Sequence, residues 1–401
     1  MAIISYPPRA APYTTKPVIK QAMTKEPATN SARVIVPPAL AAAQAVSAAS
    51  QAQLYGRLSS EDKARLAVVN AVALNPGLFL AKYTLRRIIG FGSNGVCLAA
   101  VDNSTGDVVA VKLVYKSRIG TAFETAPKEI QALRYFSATT SSPFLLKYIS
   151  DSQDTHHFIV ITELFGCDWL ATVKESGDAK LAPLTFTSVY KTVTTHELDF
   201  TSGSSDLWAW AYAHRDHVWK TEGHSLLPLN PVKAIIRQMA EGLAVMHSEG
   251  WYHGDIKVEN ALVQAAPGKV SVRLIDFGHA KHASSGIKNY GTQEVSPPEF
   301  LVDSPFAERQ IDGRAADVFA LGMVLYSLLN ETGELPAVCK DIREGRLGYN
   351  DLVSRHGGLL PLDGLVDLDN DGWDLISGMT LVDPAQRLSI QEVLDHIWFA
   401  R

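Results

Sequence analysis

An aspartate, a lysine and an asparagine stand at fixed offsets in YHGDIKVEN, as Asp255, Lys257 and Asn260, and a second aspartate, Asp276, follows in VRLIDFG. Two carboxylates and a carboxamide at strand ends suit Mg2+, a hard cation usually held by one or two carboxylates together with phosphate oxygens. Each residue alone is an ordinary turn former, so the argument rests on the ordered set. Upstream, IIGFGSNGVC carries Gly90, Gly92 and Gly95. In a dinucleotide fold such glycines open a helix whose N-terminus receives the pyrophosphate. Here VCLAAVDNSTGDVVAVKLV comes next, which reads as a hairpin. A glycine loop between two strands forms a flap whose backbone amides can lie over phosphates, with no Cβ atoms to block the approach. The third strand delivers Lys112 in VAVK, on the side of the sheet opposite Val111 and Leu113. A strand lysine is ordinarily a solvated face residue. Paired with Glu129 of KEIQAL it becomes a fixed cation for the α- and β-phosphates of a nucleotide.

These residues need elements to position them. YTLRRIIG, VCLAAV and VVAVKLVY are β-branched runs between turn-forming stretches and predict successive antiparallel strands from Tyr83 onward. A helix around PKEIQALRYF and two further strands, LLKYISDS and HHFIVITEL, complete a small sheet. Beyond Phe165 the periodicity becomes helical in DLWAWAYAH, VKAIIRQMAEGLAVMHSEG, AADVFALGMVLYSLL and IQEVLDHIW. Residues 167–204 show no clear period, and a stretch of that length inside a compact domain is usually functional or disordered; it is taken as an insertion. Residues 1–37 mix Pro, Ala, Thr and Lys and predict a linker, followed to residue 77 by two short helices, the second starting at SSEDKARLAVV where Ser60 can cap and Glu61 and Asp62 favour the positive helix end.

The motifs in order resemble those of a eukaryotic protein kinase domain, from about Tyr83 to Phe399: GFGSNG, VAVK, the helix glutamate, HGDIKVEN, DFG, and PPE in place of APE. The resemblance implies an α+β, two-lobed protein kinase fold, with a small antiparallel β-sheet N-lobe carrying one main helix and a larger, mainly α-helical C-lobe. It places an N-terminal extension at 1–77 and the kinase domain at 78–401, with N-lobe 78–165, insertion about 167–204 and C-lobe 205–401. It further implies ATP and Mg2+ as cofactors. Ile89, Gly90, Phe91, Gly92, Ser93, Asn94, Gly95, Val96, Cys97, Ala110, Lys112, Thr162, Glu163, Phe165 and Asp206 would bind ATP, Thr162 resembling the gatekeeper and Glu163 to Phe165 the hinge. Asn260 and Asp276 would hold the metal. Asp255 would accept the substrate hydroxyl proton, with Lys257, Lys112 and Glu129 completing the catalytic set. Asp317 resembles the helix aspartate that braces the catalytic loop, and Arg387 the arginine that pairs with Glu299. The lysine of DIKVEN is the serine/threonine pattern, and the flanking segments look most like the calmodulin-dependent-kinase-like group, in its PAS-kinase or Pim-like branch. A pseudokinase or scaffold is the alternative, opposed by the complete catalytic set; a small-molecule kinase is opposed by GTQEVSPPE.

Several positions depart from the family pattern. Gly254 stands where most members carry an arginine that binds a phosphorylated activation-segment residue. Activity independent of such phosphorylation is therefore expected, although Ser284, Ser285, Tyr290 and Thr292 lie between DFG and PPE. Cys97 replaces a valine above the adenine, Asn94 an aromatic at the loop tip, Val295 a tyrosine and Pro297 an alanine. Asp206 reads either as a ribose or substrate contact or as a helix cap, and Glu259 either as a contact for basic residues ahead of the target Ser or Thr or as a solvated loop residue.

The 401 residues, 46% hydrophobic and 20% charged, are those of an ordinary globular protein. A net charge of -5 gives no general attraction to nucleic acid. Neither PALAAAQAVSAAS nor LAVVNAVALNPGLFLA is a credible membrane span. Three scattered cysteines, Cys97, Cys167 and Cys339, form neither a disulfide framework nor a zinc pattern and fit a reducing compartment. The expected partners are protein substrates, the expected state a monomer, and the expected location intracellular, cytoplasmic or nuclear. No basic amphipathic segment follows the kinase-like region, so calcium control through a C-terminal tail is not expected.

Overall fold

A computed structural model describes residues 58–117, 125–166, 185–187, 192–194, 205–266, 269–306, 309, 311–365 and 368–400. The expected linker over 1–37, the first of the two early helices, Cys167 and most of the insertion lie outside the described residues. The chain divides into two compact units, one containing the N-terminal sheet and the other residues 206–401 with 142–145.

The first unit opens with helix α1, Ser60–Leu74, and a single turn, Gly77–Lys82. Strands β1 (Tyr83–Phe91), β2 (Gly95–Asp102) and β3 (Val108–Tyr115) come next, then α2 (Lys128–Thr139), β4 (Tyr148–Gln153) and β5 (His157–Glu163). The five strands make one antiparallel sheet in the order β1-β2-β3-β5-β4. Because neighbouring side chains alternate, register sorts them by face. Val96, Leu98 and Ala100 of β2, Val109, Val111 and Leu113 of β3, and Ile159 and Ile161 of β5 share one face. That face packs against Ala64, Ala67, Val68, Ala71 and Val72 of α1, spaced at three and four residues so that one side of the helix meets the sheet. The helix therefore shares the core of the sheet. Two three-residue strands, β6 (Thr185–Thr187) and β7 (Thr192–Thr194), pair with each other inside the insertion.

The second unit is built on α3 (Leu207–Glu222) and α4 (Leu229–Ser248). In α4 the fully buried Val232, Ile235, Ile236, Met239, Ala240, Leu243 and Met246 follow the helical period, so one stripe enters the core. The chain then passes through β8 (Trp251–Tyr252) and the antiparallel pair β9 (Ala261–Ala266) and β10 (Lys269–Leu274) to β11 (Lys281–His282), which pairs back onto β8. Helix α5, Gly313–Leu329, is apolar all round and buried almost throughout, the pattern of a helix at the centre of a unit. Helices α6 (Ala337–Arg343), α7 (Tyr349–His356), α8 (Asn370–Met379) and α9 (Ile390–Leu394) complete it. An antiparallel sheet with few helices, followed by a mainly helical unit, is the α+β architecture expected from the periodicities.

Candidate active site

In the sheet unit, register places Cys97 opposite Lys112 and Ala110 opposite Thr162, so these four side chains occupy the face away from α1. Lys112 forms an ion pair with Glu129 in the first turn of α2. Val111 and Leu113, on either side of it, are sealed in the core. Between β1 and β2 the glycine loop closes through Gly92 N–H donating to the Gly95 carbonyl at 2.9 Å. A Cβ built on Gly90 or Gly92 meets no atom within 4 Å, which leaves open space on the loop. Such space over a row of backbone amides is what a phosphate chain requires, so the loop fits a nucleotide. Cys97 lies in surroundings that push its thiol up to about 11, through burial and against the opposing effect of Lys112, so it is a neutral apolar group at this face. Thr162 is buried opposite Ala110, and Glu163 ends β5, where its carboxylate accepts from the Lys147 N–H at 2.9 Å.

Two residues of the expected nucleotide set, Val96 and Phe91, lie on the core side of the sheet. Val96 is 1% exposed and belongs with Leu113 to the face covered by α1, and Phe91 packs against the same core. The Val96 side chain is thus committed to the core, while Phe91 is only partly buried. The cause is strand alternation, which sends every second residue of the motif to the other face. Ser93 and Asn94 form the exposed tip, the Ser93 hydroxyl donating to Asn94 Oδ1 at 3.2 Å.

In the helical unit, α4 and α5 hold the loop that carries Asp255. Asp317 of α5 is completely buried and accepts four hydrogen bonds. The His253 and Gly254 N–H groups donate to it at 2.7 and 2.8 Å, the Tyr290 hydroxyl at 3.0 Å, and His247 Nε2 at 3.1 Å. A buried carboxylate persists only when its lone pairs are filled this way. The brace fixes the loop in a particular backbone shape. Gly254 has φ +77°, and an added Cβ would sit 2.9 Å from the His279 carbonyl oxygen. An L side chain is strained there, which gives the glycine a backbone reason beyond the missing arginine.

Asp255 is 3% exposed. Its Oδ1 accepts from the Thr292 hydroxyl at 2.5 Å and its Oδ2 lies 2.9 Å from both Lys257 Nζ and Asn260 Nδ2. Lys257 also donates to Thr292 Oγ1 at 2.8 Å. Burial pushes the Asp255 carboxyl up, but the Thr292 hydroxyl and the Lys257 ammonium outweigh it and hold the group below its ordinary range. It is thus an ionised acceptor at neutral pH. Asn260 commits its amide nitrogen to the Asp255 carbonyl and carboxylate, at 2.8 and 2.9 Å, leaving Oδ1 as its donor atom for a cation. Asp276, at the end of the segment after β10, has φ 62°, and is the one non-glycine residue with positive φ among the described residues. Backbone outliers of this kind concentrate at functional sites.

Comparison with known proteins meets this geometry. The protein kinase domain model matches residues 83–195 and 203–399. The chain belongs to the protein kinase family. A serine/threonine-protein kinase of Drosophila persimilis, GL21140, is 25% identical over 88% of this chain and 39% of its own length. The rice (Oryza sativa subsp. indica) serine/threonine-protein kinase SAPK3 is 30% identical over 41% of this chain and 47% of its own length. The meiosis-specific serine/threonine-protein kinase mek1 of Schizosaccharomyces pombe is 23% identical over 79% and 59%. The chain thus spans less than two thirds of the length of each of these kinases.

Among the kinase landmarks expected from sequence, the geometry brings Asp255, Lys257 and Asn260 into one hydrogen-bonded cluster and pairs Lys112 with Glu129. Arg387 and Glu299 form a fully buried bidentate pair, both bonds 2.8 Å. Asp206 caps α3, its Oδ1 accepting from the Ala209 N–H at 2.8 Å, so the helix-cap alternative is the one realised by that oxygen. Phe165 is buried, and Glu259 is half-buried beside Asn260. Two residues acquire site roles that the sequence did not reveal. Thr292 and Tyr290, candidate phosphorylation positions by order alone, turn their hydroxyls onto Asp255 and Asp317. The GT dipeptide directly after Tyr290 was the available signal, since Gly291 has no room for a Cβ, which would fall 2.6 Å from Asp255 Oδ1.

Proposed function

We propose that the protein is an active serine/threonine kinase that transfers the γ-phosphoryl group of ATP to hydroxyls of protein substrates, and that it does so without phosphate on its activation segment. The carrying observation is the Asp255 cluster: a buried, ionised carboxylate with a lysine, a threonine hydroxyl and a carboxamide fixed around it. Asp255 would orient the attacking hydroxyl and receive its proton; a positioned base contributes on the order of 10²- to 10⁴-fold in rate. Lys257 would stabilise charge on the transferring phosphoryl group. Lys112, held by Glu129, would bind the α- and β-phosphates under the glycine loop, and Ala110, Cys97 and Thr162 would line the adenine. Asp276 and Asn260 offer two oxygen donors that fit Mg2+, which when bound would neutralise charge on the β- and γ-phosphates.

Independence from activation-segment phosphate is supported by Gly254, which has neither the side chain to bind a phosphate nor the backbone shape to accept one. Glu259, half-buried at the loop edge, supports a preference for basic residues before the target Ser or Thr. Motif wording around LIDFGHA, DIKVENALV and SPPEFL supports placement in the calmodulin-dependent-kinase-like group. We take 78–401 as the catalytic domain, acting as a monomer in the cytoplasm or nucleus. No described helix is long and apolar enough to cross a membrane.

The test is transfer of labelled γ-phosphate from Mg·ATP by phosphatase-treated protein to a peptide library, beside Asp255→Asn. Transfer to Ser and Thr peptides by the wild type alone is expected. Equal transfer by both proteins would remove Asp255 from the role of base, and absence of transfer while ATP still binds would overturn the catalytic reading.

A further inference from the structure

We propose that Tyr290 is the positioning residue that docks the activation segment onto the catalytic loop, in place of the phosphate-arginine pair for which Gly254 leaves no partner. The inference rests on the kinase reading above and concerns how that site is kept assembled.

The Tyr290 ring is 4% exposed, and its hydroxyl joins two different parts of the unit. It donates to Asp317 Oδ1 at 3.0 Å and accepts from the Ile256 N–H at 2.8 Å. Ile256 is the residue next to Asp255, and Asp317 is the brace that also holds the N–H groups of His253 and Gly254. One phenol therefore satisfies a backbone donor of the catalytic loop and a lone pair of the buried carboxylate behind it. Burial, and after it the negative charge of Asp317, drive the phenol far above its ordinary range, so it stays a neutral donor.

The placement of Tyr290 matters because of the two residues next in the chain. The Gly291 N–H donates to the Gly254 carbonyl at 2.9 Å, and Thr292 places its hydroxyl on Asp255 and receives Lys257. Three successive residues, 290 to 292, are thus bonded to 254 to 257. A shift at Tyr290 would be passed through two short backbone links to the hydroxyl that sets the state of Asp255. The other end of the segment is tied in the same manner, the Tyr252 hydroxyl donating to the Gly286 carbonyl at 2.9 Å and β11 pairing with β8. Each of these ties joins groups of the chain itself, and none draws on a phosphate.

The experiment measures phosphatase-treated wild type and Tyr290→Phe, which keeps the ring and removes the hydroxyl. The variant is expected to lose about ten-fold in kcat, the scale of one buried hydrogen bond with partners left unsatisfied, with the KM for ATP unchanged. A merely structural role would lower the melting temperature and leave kcat in place below that temperature; that result overturns the proposal. Amide exchange of the dephosphorylated wild type keeps the test open should the variant not fold: segments 253–257 and 290–292 should open together, and fast exchange at 290–292 alone overturns it. Absence of transfer by wild type would instead fail the kinase reading.

Discussion

At the scale of single residues, Asp255 and Gly254 make opposite demands on their neighbours. Asp255 needs its surroundings to keep it ionised while it is buried, and Thr292 is the hydroxyl that lowers its pKa most. Protonation removes a base, so the rate should fall as pH drops through the folded pKa, and that limb should lie below the ordinary carboxylate range. Replacing Thr292 by valine removes a stabiliser of the charged form, raises the pKa, and should shift the acid limb of the kcat-pH profile upward; a limb that stays in place would refute the assignment. Gly254 needs its φ of +77°. Gly254→Ala imposes a left-handed conformation on an L residue and should cost about 1–2 kcal/mol in the chemical unfolding of the helical unit. An unchanged denaturation midpoint would show that the loop relaxes around a Cβ. The types and order of Asp255, Lys257, Asn260 and Asp276 were legible in the sequence because they lie in short, ordered motifs. The hydroxyls of Thr292 and Tyr290 were not, because which of several hydroxyls meets the aspartate depends on how the segment after DFG folds back on the loop.

Elements hold these residues in place mostly by buried polar pairs. Arg387, in the turn between α8 and α9, meets Glu299 at the end of the activation segment, with both side chains removed from solvent. The guanidinium also donates to the carbonyls of Ala315 and Leu381, so it ties the segment, α5 and the C-terminal turn together. Removing one partner leaves an uncompensated buried charge, and Glu299→Ala should destabilise the helical unit by about 3–5 kcal/mol. The pair as a whole is worth much less than that figure, since both charges had to be dehydrated. Glu299→Leu with Arg387→Met should therefore lose less than the sum of the single changes, measured as a double-mutant cycle of unfolding free energies. Simple additivity would mean that the two residues act separately. The strands were readable as β-branched runs between turn-forming stretches, and α4 from a helical period that buries one stripe. In the glycine motif the period also decided which of the expected contacts could be made, sending Val96 to the core.

For the whole molecule the instructive element is α1. Its sequence predicts a helix, and its capping residues mark the start, but a run of Ala and Val that is apolar on several sides does not say what it will cover. The sheet supplies the answer: Leu98, Val111, Leu113 and Ile159 form an apolar patch on one face, and α1 packs with that patch, Val68 and Val72 at most 1% exposed. The stability of the sheet that carries Lys112 and the glycine loop thus depends on residues that precede every kinase motif. Val68→Asp places an unpartnered carboxyl in that core, and burying it even in its neutral form costs about 2–7 kcal/mol, enough to unfold a unit of ordinary stability. The helical unit has its own core on α4 and α5 and should be spared. Calorimetry of the variant should then show the transition of the sheet unit moved to lower temperature or lost while a second transition persists, with ATP protection of Lys112 from amine acylation abolished. A single transition displaced as a whole would mean that the two units unfold as one, and an undisturbed profile would mean that α1 rests on the sheet without supporting it.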